Sequence, residues 1–417
     1  MKAVIGTIAG LVFTAQVSAV TPEVVLDHYA DLAQAMYGDS LTTARSLQSA
    51  VDRLIASPTE RDLAGAREAW IAARHPYQQT EAYRFGNAIV DDWEGKVNAW
   101  PLDEGLIDYV AASYGSDSDE NPAYTANIIA NPRLMIGGRM IDATAITPAL
   151  LRELHELDEV EANVSTGYHA IEFLLWGQDL NGTGPGAGIR PASDFDTNSC
   201  SNGNCDRRAA YLKAVTDLLV SDLEWMAAQW AAGGEGRLSV TQGDPKVNLA
   251  RILTGMGSLS YGELAGERMK LGLMLHDPEE EHDCFADNTH WSHYNDALGI
   301  WNVYTGSYTR VDGSRISGPS LSDLVAAEDP AVDVELRGKL HATIGRMDAI
   351  VQSAAAGVAY DQLIGGDNAA GNAKVKAAVD ALVDQTRSIE KAVTALGLET
   401  IAFEGSDSLD APEKVLN

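Results

Sequence analysis

The sequence predicts an all-α protein built from two helical-bundle domains, and three observations support this prediction. Apolar residues recur at the three- and four-residue spacings of amphipathic helices over most of the chain, whereas strand-like alternation is rare. Prolines and glycines fall where such helices would begin or end. The 417 residues suffice to bury more than one large core. Bundled helices are therefore the expected architecture.

The predicted helices follow one another from the start of the chain. Thr21 followed by Pro22, a cap with proline at the first helical position, opens a helix over about 21–56. A second helix covers about 59–85, with Pro76 as an expected kink or break. Three further long helices are predicted at about 206–232, 334–364 and 373–396.

Residues 181–206 form the best candidate for a domain boundary. This stretch is rich in Gly, Pro, Ser and Asn, and a loop of such length is usually a linker or a functional loop. We therefore predict one bundle over about 20–180 and a second over about 207–417, with a site at their interface.

A short internal echo bears on how these bundles arose. The pattern S-x-G-x4-E-x4-G occurs at 165–177 and again at 260–272. It fits either an internal duplication or a coincidence, since the surrounding residues do not align. A duplication would give each bundle a buried glutamate, Glu172 in the first and Glu267 in the second.

The first nineteen residues have the features of a secretory signal peptide. They combine one positive residue, an apolar run and a small-residue pattern that ends at Ala19. The apolar run is too short to span a membrane, and no later stretch reaches that length. No cysteine follows the expected cleavage point, so we do not expect a lipoprotein. The mature chain is expected to be exported, without a transmembrane segment.

The chain is strongly acidic, with a formal net charge of −30. Such a surface repels nucleic acid and anionic lipid, which argues against both as partners. It would attract cations, but acidity is equally typical of proteins from salty habitats.

The three cysteines also bear on the cellular compartment. Cys200 and Cys205 frame the polar loop C-S-N-G-N-C, and in an exported protein they are predicted to form a disulfide. Zinc binding is the weaker alternative because there is no second cysteine pair. Cys284 is predicted to be a buried thiol.

The stretch S-T-G-Y-H-A-I-E-F-L-L-W-G-Q-D-L at 165–180 places two titratable groups among apolar residues. His169 and Glu172 are three apart, so they share one face of a helix and can bind one metal ion together. The alternative is a core histidine satisfied by its own glutamate. The zinc-peptidase pattern HExxH is absent, which argues against that chemistry.

Two further groups of polar residues are candidates for the same site. Helical spacings of three and four align Trp70, Arg74, Tyr77, Glu81 and Arg84 in a stripe, whose aromatic members favour partial burial over a surface row of ion pairs.

Glu263 and Glu267 are likewise expected to share a face beside Arg268. Two carboxylates held close repel each other unless a cation or a proton intervenes.

The segment 275–296 holds four of the nine histidines. Asp277 and Glu280 are expected to cap a helix that starts at Pro278. The remaining polar side chains would either ligate a metal or hydrogen-bond a large loop, and the structural role is favoured: Asp283, Asp287, His290 and His293.

These stretches together resemble a known family. G-Y-H-A-I-E-F-L-L-W-G-Q-D at 167–179 resembles the GxHxxE motif of imelysin-like proteins. The stretches at 99–110 and 258–285 resemble the iron-regulated protein A branch of that family. The resemblance implies an all-helical fold of two bundle-like domains, with a site between them that includes His169 and Glu172. It also implies export to the periplasm or outer envelope and a link to iron uptake.

We therefore expect a protein that binds a metal ion, or a metal-bearing small ligand, in bacterial iron acquisition together with envelope iron-uptake proteins. A mixed nitrogen and oxygen set suits divalent Fe, Zn or Mn, whereas calcium uses oxygen alone. The expected metal ligands are His169, Glu172, Glu81 and Glu267. The expected ligand-binding residues are Arg74, Tyr77, Arg84, Glu263 and Arg268. The alternatives are a metallopeptidase with the HxxE residues as metal ligands, and an envelope adaptor that binds a peptide or protein.

Overall fold

The computed structural model describes residues 20–118 and 121–416. The predicted signal peptide at 1–19 lies outside the described residues. Within the described ranges, no helix has both the length and the apolar character needed to cross a membrane.

The prediction of an all-α fold is confirmed. The α-helices are α1 Pro22–Ala56, α2 Glu60–Gln78, α3 Ala88–Asn98, α4 Glu104–Ile107, α5 Pro148–Leu154, α6 Gly167–Trp176, α7 Cys205–Trp230, α8 Glu235–Thr241, α9 Pro245–Ser258, α10 Gly272–Leu275, α11 Thr289–Thr305, α12 Leu321–Glu328, α13 Pro330–Ala355, α14 Tyr360–Ile364, α15 Ala369–Ala395, α16 Asp407–Asp410 and α17 Pro412–Val415. A π-helix, Leu259–Leu271, joins α9 to α10. Short 3-10 turns occupy Glu81–Tyr83, Ala112–Tyr114, Leu157–Glu159, Ala192–Phe195 and Pro278–Glu280.

Two small antiparallel hairpins complete the described secondary structure. In the first, β1 Arg133–Ile136 pairs with β2 Arg139–Asp142. In the second, β3 Ser307–Thr309 pairs with β4 Arg315–Ser317.

Two predicted helices end earlier than expected. The helix α2 passes through Pro76 but stops at Gln78, after which the chain tightens into a 3-10 turn. The run predicted at 334–364 divides into α13 and α14, because Gly357 adopts a φ of 88° that a helix cannot accommodate. At both positions the helix ends because of the local backbone conformation, although the apolar pattern continues.

The long helices pack in two sets that meet around α11. The helix α1 packs along α2 and α7, while α13 packs along α15. The helix α11 contacts α2, α13 and the π-helix, so it lies between the two sets. The helix α7 follows the loop at 181–206 yet packs against α1 and α6, which precede that loop. The division into domains at 181–206 stays a prediction.

The predicted disulfide is present. Cys200 and Cys205 are bonded, with their Cα atoms 5.9 Å apart. Cys205 is the first residue of α7, so the bond closes the loop directly onto this helix. Cys284 is a free thiol and is half-buried rather than fully buried.

The start of α6 is held in close contact with α3. Gly167 has a φ of 80°, and a Cβ at this position would lie only 2.4 Å from the Val97 carbonyl oxygen. Only glycine fits both the backbone conformation and the space. The indole of Trp70 also donates a hydrogen bond of 2.9 Å to the carbonyl oxygen of Tyr168. These contacts fix where His169 and Glu172 lie within the core.

Candidate functional site

His169 and Glu172 lie on α6 and are both buried, with 1% and 0% of their surfaces exposed. The Nδ1 atom of His169 is 2.9 Å from a carboxylate oxygen of Glu172. The other carboxylate oxygen accepts a hydrogen bond of 3.0 Å from the backbone N–H of Ala286. The Nε2 atom of His169 has no hydrogen-bond partner. Glu172 therefore orients the ring, and the second ring nitrogen is left available.

A second segment of the chain brings two more donors to this histidine. His282 and Asp283 follow the 3-10 turn that precedes α11, and both are buried. One ligand atom from each of His169, His282 and Asp283 lies within 4.8 Å of the other two. The rings of the two histidines have centroids 4.8 Å apart. Two imidazoles and one carboxylate thus converge on one point.

Asp283 is held in place by neighbouring side chains. Arg74 donates to its two oxygens at 2.6 and 3.3 Å, and Asn288 donates to one of them at 2.7 Å. Arg74 in turn donates to Asn98 at 2.7 Å and lies 5.0 Å from the ring centroid of Tyr168. Since Arg74 is itself 1% exposed, this is a buried ion pair whose geometry is fixed by further bonds.

His282 is oriented through its Nδ1 atom in a similar way. The Oγ atom of Ser292 is 2.6 Å from this nitrogen. Gln78 donates to the same Ser292 hydroxyl oxygen at 2.6 Å, so the hydroxyl is fixed as well. Histidines that bind metals are commonly held by a hydrogen bond at the other ring nitrogen, and both His169 and His282 have such a bond.

The buried environment keeps both imidazoles neutral. Burial, followed by the charge of Arg74, lowers the pKa of His169 to about 3, and burial also holds the pKa of His282 well below its ordinary value. Burial and the charge of Asp283 raise the pKa of Glu172. Burial alone would raise the pKa of Asp283 too, but the Arg74 guanidinium outweighs it and lowers that pKa. Neutral imidazole is the form that binds metals.

Glu81 belongs to a different cluster, which is centred on Arg268. The Arg268 guanidinium lies 2.9 Å from Glu81, 2.6 Å from Glu263 and 3.1 Å from Asp296. Arg84 contacts Glu263 from the other side at 3.6 Å. Glu81 is therefore a partner of Arg268, and the distant carboxylate beside His169 is Asp283.

Glu263 and Glu267 both lie on the π-helix, in which each residue bonds to the fifth one along. Glu263 meets Arg268, five residues later, at 2.8 Å, as expected for a glutamate beside that arginine. That Glu263 and Glu267 share a face stays a prediction. Glu267 is half-buried, and its charge acts on Glu280. The two segments that share the S-x-G-x4-E-x4-G pattern, 165–177 and 260–272, therefore contain different kinds of helix, an α-helix and a π-helix. Of their two glutamates, Glu172 is fully buried and Glu267 is half-buried.

The stripe predicted on a helix over 59–85 lies on α2 and the 3-10 turn that follows it, and it is mostly buried, as its aromatic residues indicated. Trp70, Arg74, Tyr77 and Glu81 are all at most 2% exposed, and only Arg84 reaches partway to solvent. Tyr77 packs against Tyr168 with ring centroids 4.8 Å apart. It forms part of the wall beside Arg74.

Sequence reasoning missed His282, Ser292, Gln78 and Asn98. The sequence signal for His282 is its place in the histidine-rich segment 275–296, next to Asp283, which is a candidate metal ligand in that segment. The expected cap at Asp277 is present, since its side chain accepts a bond of 3.0 Å from the N–H of Glu279. It caps a 3-10 turn of three residues, however, and Glu280 does not complete a capping box.

The polar centre contains more carboxylates than guanidinium groups. The buried or largely buried carboxylates are Glu81, Glu94, Glu172, Glu263, Asp283 and Asp296. The guanidinium groups are Arg74, Arg84 and Arg268. An interior of low dielectric constant tolerates such a surplus only when protons or a cation offset it. The donor atoms, the unpartnered nitrogen and this surplus all fit a bound cation.

A buried group of two histidines and one carboxylate between packed helices defines an all-α protein with an interior polar site whose atoms could hold a metal ion. Residues 33–389 match the family model described as imelysin, peptidase M75. The chain belongs to the imelysin family, as the GxHxxE motif had indicated.

Two known proteins are similar to this chain. One is iron-regulated protein A of Synechococcus elongatus, which is 24% identical over 304 residues. That match covers 70% of this chain and 65% of the relative, so the chain spans about two thirds of its length. The other is a crystal structure from Parabacteroides distasonis, provisionally named an iron-regulated protein A precursor. It has a TM-score of 0.64 and 19% identity, and the match covers 91% of this chain and 97% of that one. This second likeness supports the fold.

Proposed function

We propose that the protein binds a divalent transition-metal ion, or a small ligand that carries one, through His169, His282 and Asp283, and that it serves bacterial iron acquisition. The observation that carries the proposal is the buried, unpartnered Nε2 atom of His169 beside His282 and Asp283. Two histidines and one carboxylate form a donor set that suits Fe(II), and also Zn or Mn. The resemblance to iron-regulated proteins supports iron among these.

The burial of the three donors favours binding over peptide hydrolysis. A polypeptide substrate would have to reach side chains that are at most 1% exposed. Glu172 bonds the His169 ring and the Ala286 backbone, which places it as the orienting partner of the histidine rather than towards a substrate. We therefore infer a binding protein rather than a metallopeptidase, with Glu172 as a positioning residue.

Metal titration of the stripped protein tests the proposal. Anaerobic calorimetry with Fe(II), Zn(II) and Mn(II) is expected to show one strong site per chain for at least one of these ions. Unfolded insulin chains incubated with the loaded protein are expected to stay intact. Failure of all three ions to bind, or turnover of the insulin chains, would contradict the proposal.

Substitution of Glu172 by glutamine is expected to weaken metal binding by about 10- to 100-fold without abolishing it. The amide removes the carboxylate that orients His169, whereas the three donor side chains remain, and loss of such a supporting partner has this typical effect. The affinity from calorimetry checks the prediction. Glu153→Gln, on the exposed side of α5, is the matched control and should leave the affinity unchanged.

We also propose that the protein is exported to the periplasm or outer envelope, where it acts with iron-uptake proteins. The Cys200–Cys205 bond supports this location because disulfides persist in oxidising compartments. Amino-terminal sequencing of protein recovered from the periplasm should show a chain that begins at Val20. Recovery of the uncleaved chain from the cytoplasm would contradict export.

A further inference from the structure

A second polar cavity lies beside the histidine group, between the chain that follows α6, the segment 278–285 and the start of α14. The space within it that a water-sized molecule can occupy is about 10 Å³, which is room for about one water molecule or one ion. Four of its lining residues are acidic, and the remaining four are uncharged. The acidic residues are Asp179, Glu279, Glu281 and Asp361.

Two of these carboxylates are buried without a positively charged partner. Glu281 is 1% exposed and Asp361 is 2% exposed. None of their four carboxylate oxygens has a hydrogen bond of standard geometry, although the Thr289 side chain and the Gln362 backbone lie near enough to lower the pKa of Glu281 and Asp361, respectively, against the larger effect of burial. The backbone of Glu281 is fixed, since its carbonyl oxygen accepts a bond of 2.7 Å from the indole of Trp100. Buried carboxylates are ordinarily paired with a positive charge, hydrogen-bonded or bound to a metal. The carboxylates of Glu281 and Asp361 therefore lack the counter-charge that proteins normally supply.

Positive charge is missing around this cavity as well. No lysine, arginine or histidine occurs among the described residues that line it. The charges that act on Glu281 from neighbouring segments are those of Asp361, Asp287 and Asp179, which all have the same sign. The Arg268 cluster differs in this respect, because there a guanidinium bonds each of three carboxylates. At Glu281 a proton or a cation from solution has to offset the charge, and burial raises the pKa of this carboxyl group accordingly.

The donor atoms indicate which cation would fit. The cavity offers carboxylate oxygens without an imidazole, and oxygen-only sites suit hard cations such as Ca²⁺. The room is that of about one water molecule, so an ion held there would bind the carboxylate oxygens directly. A neighbouring cavity of about 390 Å³, which is lined by Asp103 and Glu104, shares Glu279 and Phe285 with it and offers an acidic route inward.

We propose that Glu281 and Asp361, with Asp179 in the wall, bind a divalent cation of the calcium class. This site is distinct from the group formed by His169, His282 and Asp283, and it does not depend on the proposed function of that group. A cation bound there would supply the positive charge that the carboxylates of Glu281 and Asp361 lack within the protein.

Terbium luminescence tests the proposal, because Tb³⁺ is a hard cation that replaces Ca²⁺ at oxygen sites. Tyr360 adjoins Asp361 in the chain, and the Trp100 indole bonds the Glu281 backbone, so both rings are placed to sensitise a bound Tb³⁺ ion. Titration of the metal-free full chain at moderate salt should give saturable luminescence with one ion per chain. Excess Ca²⁺ should displace that ion and quench the signal.

The Glu281→Gln, Asp361→Asn double variant is expected to bind Tb³⁺ at least tenfold more weakly. The matched control is His169→Ala, which should keep the wild-type Tb³⁺ affinity. Because the double variant loses only unpaired buried charge, it should fold and melt no lower than the cation-free wild type, and it should lose the rise in Tm that Ca²⁺ gives the wild type. Equal Tb³⁺ and Ca²⁺ responses in wild type and double variant, or no saturable signal in wild type, would overturn the proposal.

Discussion

Replacement of His282 by alanine is expected to weaken binding of the divalent transition metal by more than about 100-fold, since loss of a supporting residue alone costs about 10- to 100-fold. His282 is one of three side chains whose ligand atoms lie within 4.8 Å of one another. Its removal would leave one histidine and one carboxylate, which cannot hold a transition metal tightly. Anaerobic calorimetry and metal analysis of the purified variant measure the loss.

His293→Ala is the matched control for this experiment. His293 is also fully buried, and burial lowers its pKa to about 3, as it does for His169. It lies outside the three-residue group, so we expect its replacement to change metal affinity by less than threefold. If His293→Ala abolished binding while His282→Ala left it intact, the assignment of the three ligands would be wrong.

Replacement of Arg268 by alanine is expected to lower the free energy of unfolding by about 3–5 kcal/mol, the range found when one partner of a buried ion pair is removed. Arg268 is 2% exposed and contacts Glu81, Glu263 and Asp296. Its loss would leave these carboxylates without a counter-charge in the protein interior. Urea denaturation followed by circular dichroism measures the change.

Arg45→Ala provides the comparison on the surface. Arg45 and Glu224 form an ion pair of 2.7 Å, but their side chains are 57% and 50% exposed. Water and salt screen such pairs, so we expect a loss of about 0.2–1 kcal/mol. Adding Asp296→Asn to Arg268→Ala should restore part of the stability, because one uncompensated charge is removed. Equal losses for Arg268→Ala and Arg45→Ala would show that the buried cluster contributes no more than a surface pair.

The two arginines divide the polar centre between them. Arg74 bonds Asp283 and stabilises its ionised form, so that a carboxylate is present beside the neutral histidines. Arg268 binds the carboxylates of Glu81, Glu263 and Asp296, which lie outside the histidine group. Each arginine thus holds a different set of acids, and only the set of Arg74 lies beside the histidines.

Local sequence features determined much of this protein. Caps and apolar spacing predicted the first helix, which runs over Pro22–Ala56 as expected. The three-residue spacing of His169 and Glu172 predicted that they meet, because neighbours on a helix face are set by helix geometry alone. The short loop between Cys200 and Cys205 likewise predicted their bond. Each of these features depends on residues close together in the chain.

Only the tertiary structure decided the partners of His169. His282 and Asp283 lie more than a hundred residues away, and the loop that carries them is placed by its packing against α6 and α11. The segment that carries Glu263 and Arg268 forms a π-helix, which the apolar spacing did not predict, and Glu263 pairs with Arg268 there. Glu81 pairs with Arg268 because a buried carboxylate is stabilised by a nearby counter-charge. Helix spacing is a local property, whereas the pairing of buried charges depends on which distant segments meet where water is excluded.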